Sequence, residues 1–131
     1  MPEVYNKGRE RYTAGLGNWG TDDIRVLMLS DVYVFNATHA NLAAINPAAI
    51  LFEASIDPGT RSGVDGYLDG GSALFTDVDR NIVCSSLVVY EAVSTTLILF
   101  SNDAGGLPIQ LFPDSQYLVL ADRLFGGYGR L

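Results

Sequence analysis

The chain is poor in the residues that carry chemistry. Its 131 residues include one cysteine, one histidine and one tryptophan, and Lys7 is the only lysine. A lone thiol, Cys84, closes no intrachain disulfide, so no covalent staple holds the fold. Its place inside an apolar run marks it as a small buried hydrophobe rather than a reactive thiol. A Ser-His-Asp or Cys-His arrangement would have to pass through His39, which lies in an alanine-rich segment, and no glycine-bounded nucleophile elbow is present to meet it. His39 reads instead as a surface or capping residue. One histidine and one cysteine also fall short of the four ligands that a structural zinc wants.

Charge is scarce and lopsided. Charged residues make up 18 % of the chain, below an ordinary share of about 25 %. Fifteen acids against eight bases leave a net charge of −7. That balance argues against a broad nucleic-acid-binding face, which needs clustered Lys and Arg. Lys7, Arg9 and Arg11 are the only close basic group, and Glu3 and Glu10 dilute it. No apolar run approaches the roughly 18 residues of a membrane span. The start, Met1-Pro2-Glu3, has no apolar h-region of a signal peptide. The expectation is a protein made in a cytoplasm that stays soluble until it assembles.

What is present is apolar: 48 % of the residues. The length fits a single domain that buries a core without staples. Two readings of the apolar surplus stay open: a small, well-filled β core, or apolar surface covered by partner subunits.

The punctuation along the chain is that of a β protein. Glu3 to Leu16 reads as an N-terminal arm with a helical turn or two, weakened by Gly8, packing on its own domain or on a neighbour. Gly17-Asn18-Trp19-Gly20-Thr21-Asp22-Asp23 is a loop rich in turn formers. It breaks into the apolar run Ile24 to Ser30, the first strand, with Asp31 to Phe35 as an extended continuation. Ala37 to Ile45 is alanine-rich, with Thr38 as the cap of a short helix and Pro47 as its limit. Ile50 to Ser55 reads as a second strand, ended by Asp57-Pro58-Gly59. Asp57 to Gly71 is a long loop or a loosely paired hairpin, and Ala73 to Thr76 a short strand. Ile82 to Ala92 suits one long central strand. Thr95 to Ser101 is another, joined through Asn102-Asp103-Ala104-Gly105-Gly106 to Ile109 to Phe112 as its hairpin partner. Tyr117 to Ala121 is the last strand. The tail from residue 122 to 131 is glycine-rich and aromatic, and is expected to dock. Together these elements predict a mainly β fold: an antiparallel sandwich, jelly-roll-like, or a barrel, with at most one short helix.

Ligand signals are weak. Asp77-Val78-Asp79-Arg80-Asn81 matches the opening of a calcium loop, but Ile82 replaces the required glycine and Val88 the bidentate glutamate. Asp57, Asp65 and Asp69 add oxygen atoms nearby, which leaves an adventitious cation or a glycan as a reading of the Asp57 to Asp79 region. Gly63-Val64-Asp65-Gly66 is not followed by the Gly-Lys-Ser/Thr of a phosphate loop, and no pair of acids is singled out for glycoside hydrolysis. No cofactor, metal or catalytic residue is expected. The aromatics cluster at the two ends. Tyr5, Tyr12, Trp19, Phe125 and Tyr128 are therefore candidate interface residues, since aromatics dominate interface hot spots. The alternative is that both ends fold onto the domain's own core.

The run Val4-Tyr5-Asn6-Lys7-Gly8, then Asn18-Trp19 with Thr21-Asp22-Asp23-Ile24-Arg25-Val26-Leu27-Met28-Leu29, resembles small virion structural proteins of tailed bacteriophages. Ala37-Thr38-His39-Ala40-Asn41-Leu42 is similar to a Thr-His segment that follows in them. Leu87 to Tyr90 with Thr96 to Phe100 looks like their paired strands, Gly105-Gly106-Leu107-Pro108-Ile109 resembles a Gly-Leu-Pro-Val element, and the aromatic-glycine tail resembles their C-terminal hook. Residues Gly59 to Asp79 depart from the pattern. The resemblance implies a noncatalytic virion component, best fitting a decoration or cement protein that binds the major capsid protein or other virion proteins as a homo-oligomer. A neck or tail component is the nearest alternative. A carbohydrate-binding β-sandwich is the rival class, and a small hydrolase lacks its acid–base complement.

Overall fold

The computed structural model describes residues 3–56, 61–64, 67–70, 72–76, 78–102 and 107–120. Its centre is a five-stranded antiparallel sheet. The strands, in spatial order, are β1 (Glu3–Val4), β9 (Thr96–Ser101), β8 (Ser86–Glu91), β2 (Ile24–Leu29) and β3 (Ile50–Ser55). Three smaller antiparallel pairs surround it: β7 (Ile82–Cys84) with β10 (Ile109–Leu111), β6 (Ser72–Phe75) with β11 (Tyr117–Leu120), and the hairpin β4 (Arg61–Val64) with β5 (Tyr67–Gly70). An isolated bridge between Ile56 and Ala73 links the end of β3 to β6. Among the described residues the fold is mainly β with one α-helix, and the sheets are arranged like a sandwich rather than closed into a barrel.

β2, β8 and β9 are apolar on both faces because both faces are covered. On one face, Ile24, Val26, Met28, Leu87, Val89 and Leu99 meet the short strands through Ala73, Phe75, Cys84 and Leu111. On the other, Leu27, Leu29, Val88, Tyr90, Leu97 and Phe100 meet Tyr5, Ile45 and Ala49, with Tyr33, Phe35 and Leu42 packed alongside. That second cover is not a sheet. It is the irregular segment after β2, two short 3-10 turns (Leu42–Ala44 and Pro47–Ala49), and Tyr5 just after β1. A register shift between β8 and β9 leaves Ile98 opposite no residue of β8. This bulge lets both Ile98 and Leu99 enter the strand-covered core.

The N-terminal segment packs on its own domain. β1 pairs with β9, and the Tyr5 amide donates to the Ile98 carbonyl at 3.0 Å. Farther along the same edge, Asn41 bridges Thr96, and the Leu97 amide donates to the Ala40 carbonyl. The outer edge of β9 is thereby covered along its length, which removes a strand edge open to aggregation. Helix α1 (Asn6–Thr13) follows Tyr5. Gly8 is the buried residue of this helix, and an added Cβ there would lie 2.5 Å from the Leu97 carbonyl oxygen and 2.7 Å from the Ile98 Cα. Glycine costs helix propensity, but here it lets the helix backbone approach β9 closely.

Several expectations need correction. The run Ile82 to Ala92 is two strands, not one. Ser85 interrupts it, its amide turning to the Leu29 carbonyl at 2.8 Å, and β7 leaves to pair with β10. The segment Ile109 to Phe112 therefore partners β7 rather than the strand Thr95 to Ser101. Asp31 to Phe35 does not extend β2. Ser30 donates to the Ala49 carbonyl, the chain turns, and Tyr33 and Phe35 fold inward over the sheet. No helix is capped by Thr38. The caps are Asn41 and Asn46, whose side chains accept from the Ala43 and Ala48 amides at the two 3-10 turns. The barrel alternative is also set aside. Ile50 to Ser55, the helical reading of the arm and the hairpin reading within Asp57 to Gly71 match the structure. Residues 103–106 and 121–131, with Phe125 and Tyr128, lie outside the described residues.

Candidate functional site

The densest polar constellation sits where α1, the loop before β2 and the β8–β9 turn converge. It begins with the loop. The Asn18 side chain accepts from the Gly20 amide at 2.9 Å, and the Asn18 carbonyl accepts from the Asp22 amide at 2.8 Å. Asp22 Oδ2 answers by accepting from the Asn18 amide at 3.0 Å and from the Tyr12 hydroxyl at 3.1 Å. These Asx-type bonds are what Asn and Asp do in tight turns. They close the loop around Trp19, which is buried in the strand-covered core and stands edge-on to Tyr12 at 6.5 Å between ring centroids.

Arg11 ties this loop to the hairpin. Its guanidinium lies 3.4 Å from Asp22 and 3.6 Å from Glu91. Gly17 makes room for it: a Cβ there would stand 2.7 Å from Arg11 Nε and 2.8 Å from the Tyr12 ring. Glu91, only 1 % exposed, ends β8 and caps the turn. Its Oε1 accepts from the Val93 amide at 2.8 Å, and its Oε2 from the Ser94 amide at 2.7 Å and from the Ser94 hydroxyl. Burial alone would push this carboxyl up. The Ser94 hydroxyl, the Ser94 and Val93 amides and the Arg11 charge outweigh burial and hold it below the usual carboxylate range. Burial and the Asp22 carboxylate push the Tyr12 phenol up, so it stays a hydrogen-bond donor.

Beside this knot lies a groove of about 250 Å3, lined among others by Lys7, Glu10, Arg11, Leu16, Asn41 and Ser94. Its charges are matched in pairs. Lys7 meets Glu10 at 3.1 Å, and Arg11 is held by Asp22 and Glu91. Glu91 accepts at both of its carboxylate oxygens, and the half-buried Asp22 accepts at Oδ2. The arrangement clamps α1 and the loop before β2 to the β8–β9 hairpin. Leu16 and Val93, both largely exposed, stand at this end of the molecule.

The five sequence-derived interface candidates separate in space. Tyr5 and Trp19 are buried on opposite faces of the sheet, and Tyr12 is half-buried in the knot. The first two pack within the chain's own core. Phe125 and Tyr128 lie outside the described residues, as do Asp57, Asp65 and Asp77 of the proposed cation region. Asp79 pairs with Arg80 at 3.1 Å. Among the described residues, no three His, Cys, Asp or Glu side chains lie close enough to hold a metal ion, and no helix is long and apolar enough to cross a membrane. Cys84 is buried, and burial pushes its thiol up to about 11. Sequence reasoning missed Glu91, Gly8 and Tyr33. A glutamate ending a strand with Ser and Thr just beyond it was a signal for a capped hairpin turn. The Gly8 contact left none.

Compared with known proteins, the chain matches no family model, no curated protein and no solved structure.

Proposed function

We propose that this chain is a noncatalytic structural protein of a tailed-bacteriophage particle, with decoration or cement on the outer capsid shell as its role. One observation carries the reading: in the stretch Tyr5 to Leu29, where the virion resemblance is strongest, the residues that recur include those that hold the fold together. Tyr5 is fully buried, Gly8 admits the helix to β9, Trp19 and Asp22 close the loop, and Ile24–Leu29 is a central strand. A likeness concentrated in such positions is a likeness of scaffold, and scaffold is what a cement protein supplies. The polar groups of the candidate site support the same reading, because they are consumed in holding the N-terminal segment down.

Exposed aliphatic side chains, among them Leu16, Val32, Val34 and Val93, supply apolar area for contacts with the major capsid protein or between copies arranged on a symmetry axis. The surplus of acids favours separation of decorated particles from one another and from nucleic acid. The test is saturable binding of the purified chain to emptied, expanded phage shells, read by co-sedimentation. Binding that saturates at a fixed ratio to capsomers is expected. Failure to sediment with shells, or saturable binding to tails instead, would overturn the capsid role.

A further inference from the structure

The loop-covered face holds the chain's one histidine in a series of hydrogen bonds. The Tyr5 hydroxyl lies 2.7 Å from the Tyr33 hydroxyl, which lies 2.9 Å from His39 Nδ1. Around them, Phe35 stacks on Phe100 at 5.0 Å and stands edge-on to Tyr5 at 5.1 Å. Three parts of the molecule meet here: the β1–α1 junction through Tyr5, the cover segment through Tyr33, Phe35 and His39, and β9 through Phe100.

Proton accounting gives the series a direction. Tyr5 is fully buried, and among the described residues its hydroxyl has Tyr33 as its one partner. Each phenol has one proton to give. Tyr5 is satisfied only if it donates to Tyr33, and the partner the structure gives the Tyr33 proton is His39 Nδ1. In that arrangement Nδ1 offers a lone pair, which requires the neutral imidazole with its proton on Nε2. Protonation removes that lone pair. Either His39 and Tyr5 then both donate to the Tyr33 oxygen and the Tyr33 proton loses its acceptor on His39, or the Tyr33 proton turns back and the Tyr5 proton is left buried without an acceptor. Both arrangements are worse than the original. The titratable groups that meet His39 are Tyr33 directly and Tyr5 through it. From β9 the cluster is faced by apolar Phe100, and among the described residues no charged side chain bonds to any member of the series.

We propose that Tyr5, Tyr33 and His39 form a pH-sensitive latch. With His39 neutral, the series ties the N-terminal segment to the cover segment. Protonation of His39 loosens the tie and frees β1 from the outer edge of β9, whose N–H and C=O groups then become available to another strand. An imidazole gains its second N–H proton on acidification, so the latch opens as pH falls. The inference rests on geometry alone and is independent of the virion reading.

Amide hydrogen exchange on the full chain at pH 7.5 and pH 5.5, corrected for intrinsic rates, tests it. The Tyr5 and Asn6 amides, bonded to Ile98 and Ala37, are expected to lose protection by about fivefold or more at the lower pH, while Val26 and Val89 in the sheet centre keep theirs. His39→Asn keeps an acceptor but cannot titrate, and should abolish the pH response. Tyr5→Phe lacks the buried proton and should reduce it. Equal protection at both pH values, or an unchanged response in His39→Asn, would overturn the latch. Nitrogen NMR of the unaltered protein needs no variant: an Nδ1 that carries the proton at pH 7.5 contradicts the proposal.

Discussion

The two faces of the central sheet are sealed by different means. One is covered by short strands and by Trp19, in a core of aliphatic side chains and a few rings. The other is covered by an irregular segment and by Tyr5, with Phe35, Phe100 and Tyr33 packed ring against ring and a polar series threaded between them. The strand-covered face is held by apolar burial, which is indifferent to pH. The loop-covered face adds hydrogen bonds whose direction depends on one imidazole. The contrast teaches that a domain without disulfides places its fixed core and its adjustable contacts on opposite sides of the same strands.

The largest expected effect breaks the strand-covered face. Trp19→Ala removes the one indole from that core and should cost about 3–5 kcal/mol in chemical unfolding. Phe35→Ala on the loop-covered face, where the ring is only half-buried, should cost less, about 1–3 kcal/mol. If the two losses come out equal, the distinction between the faces fails. Gly8→Ala tests the seam between the faces, since the helix must back away from β9. Its destabilisation should be about 1–3 kcal/mol, as for overpacking elsewhere, despite the better helix propensity of alanine.

A smaller effect concerns Glu91. Its carboxyl is held below the usual range in the folded chain. The stability it contributes is therefore present above the ordinary carboxylate range and is lost as pH falls through the folded value. Denaturation midpoints should fall on acidification, and Glu91→Gln should flatten that fall while weakening the protein near neutral pH. A steeper acid dependence in Glu91→Gln would contradict the clamp. The smallest effect is expected at Val93→Ser. This side chain is 85 % exposed, so stability should stay within about 0.5 kcal/mol while any contact made with a partner through that end weakens.

The central strands were legible in the sequence because their signals are local. Ile24–Leu29 and Thr96–Ser101 are apolar runs bounded by turn residues, and both are strands. The break at Ser85 was not legible, because a serine pair inside an apolar run has no fixed meaning until β10 arrives from more than twenty residues away to pair with β7. The cover segment was read in part. Asp31 to Phe35 reads as an extended continuation of the first strand, with nothing local to mark Tyr33, and only the filled positions on both sides of β2 force the segment over the face instead. Gly8 shows the deepest limit: its value is the absence of an atom beside a strand ninety residues away. Of the candidate site, Trp19 and Tyr12 were singled out, yet the partners that explain them, Asp22, Arg11 and Glu91, depend on tertiary proximity.

The central claim is that this fold is a scaffold for particle assembly. The most direct measurement is quantitative mass spectrometry of tailed-phage particles released from cells that express the chain from its native locus, with heads separated from tails. The account predicts the chain in the head fraction, at a constant ratio to the major capsid protein. Its absence from purified particles, or its recovery only in the soluble lysate, would contradict the account.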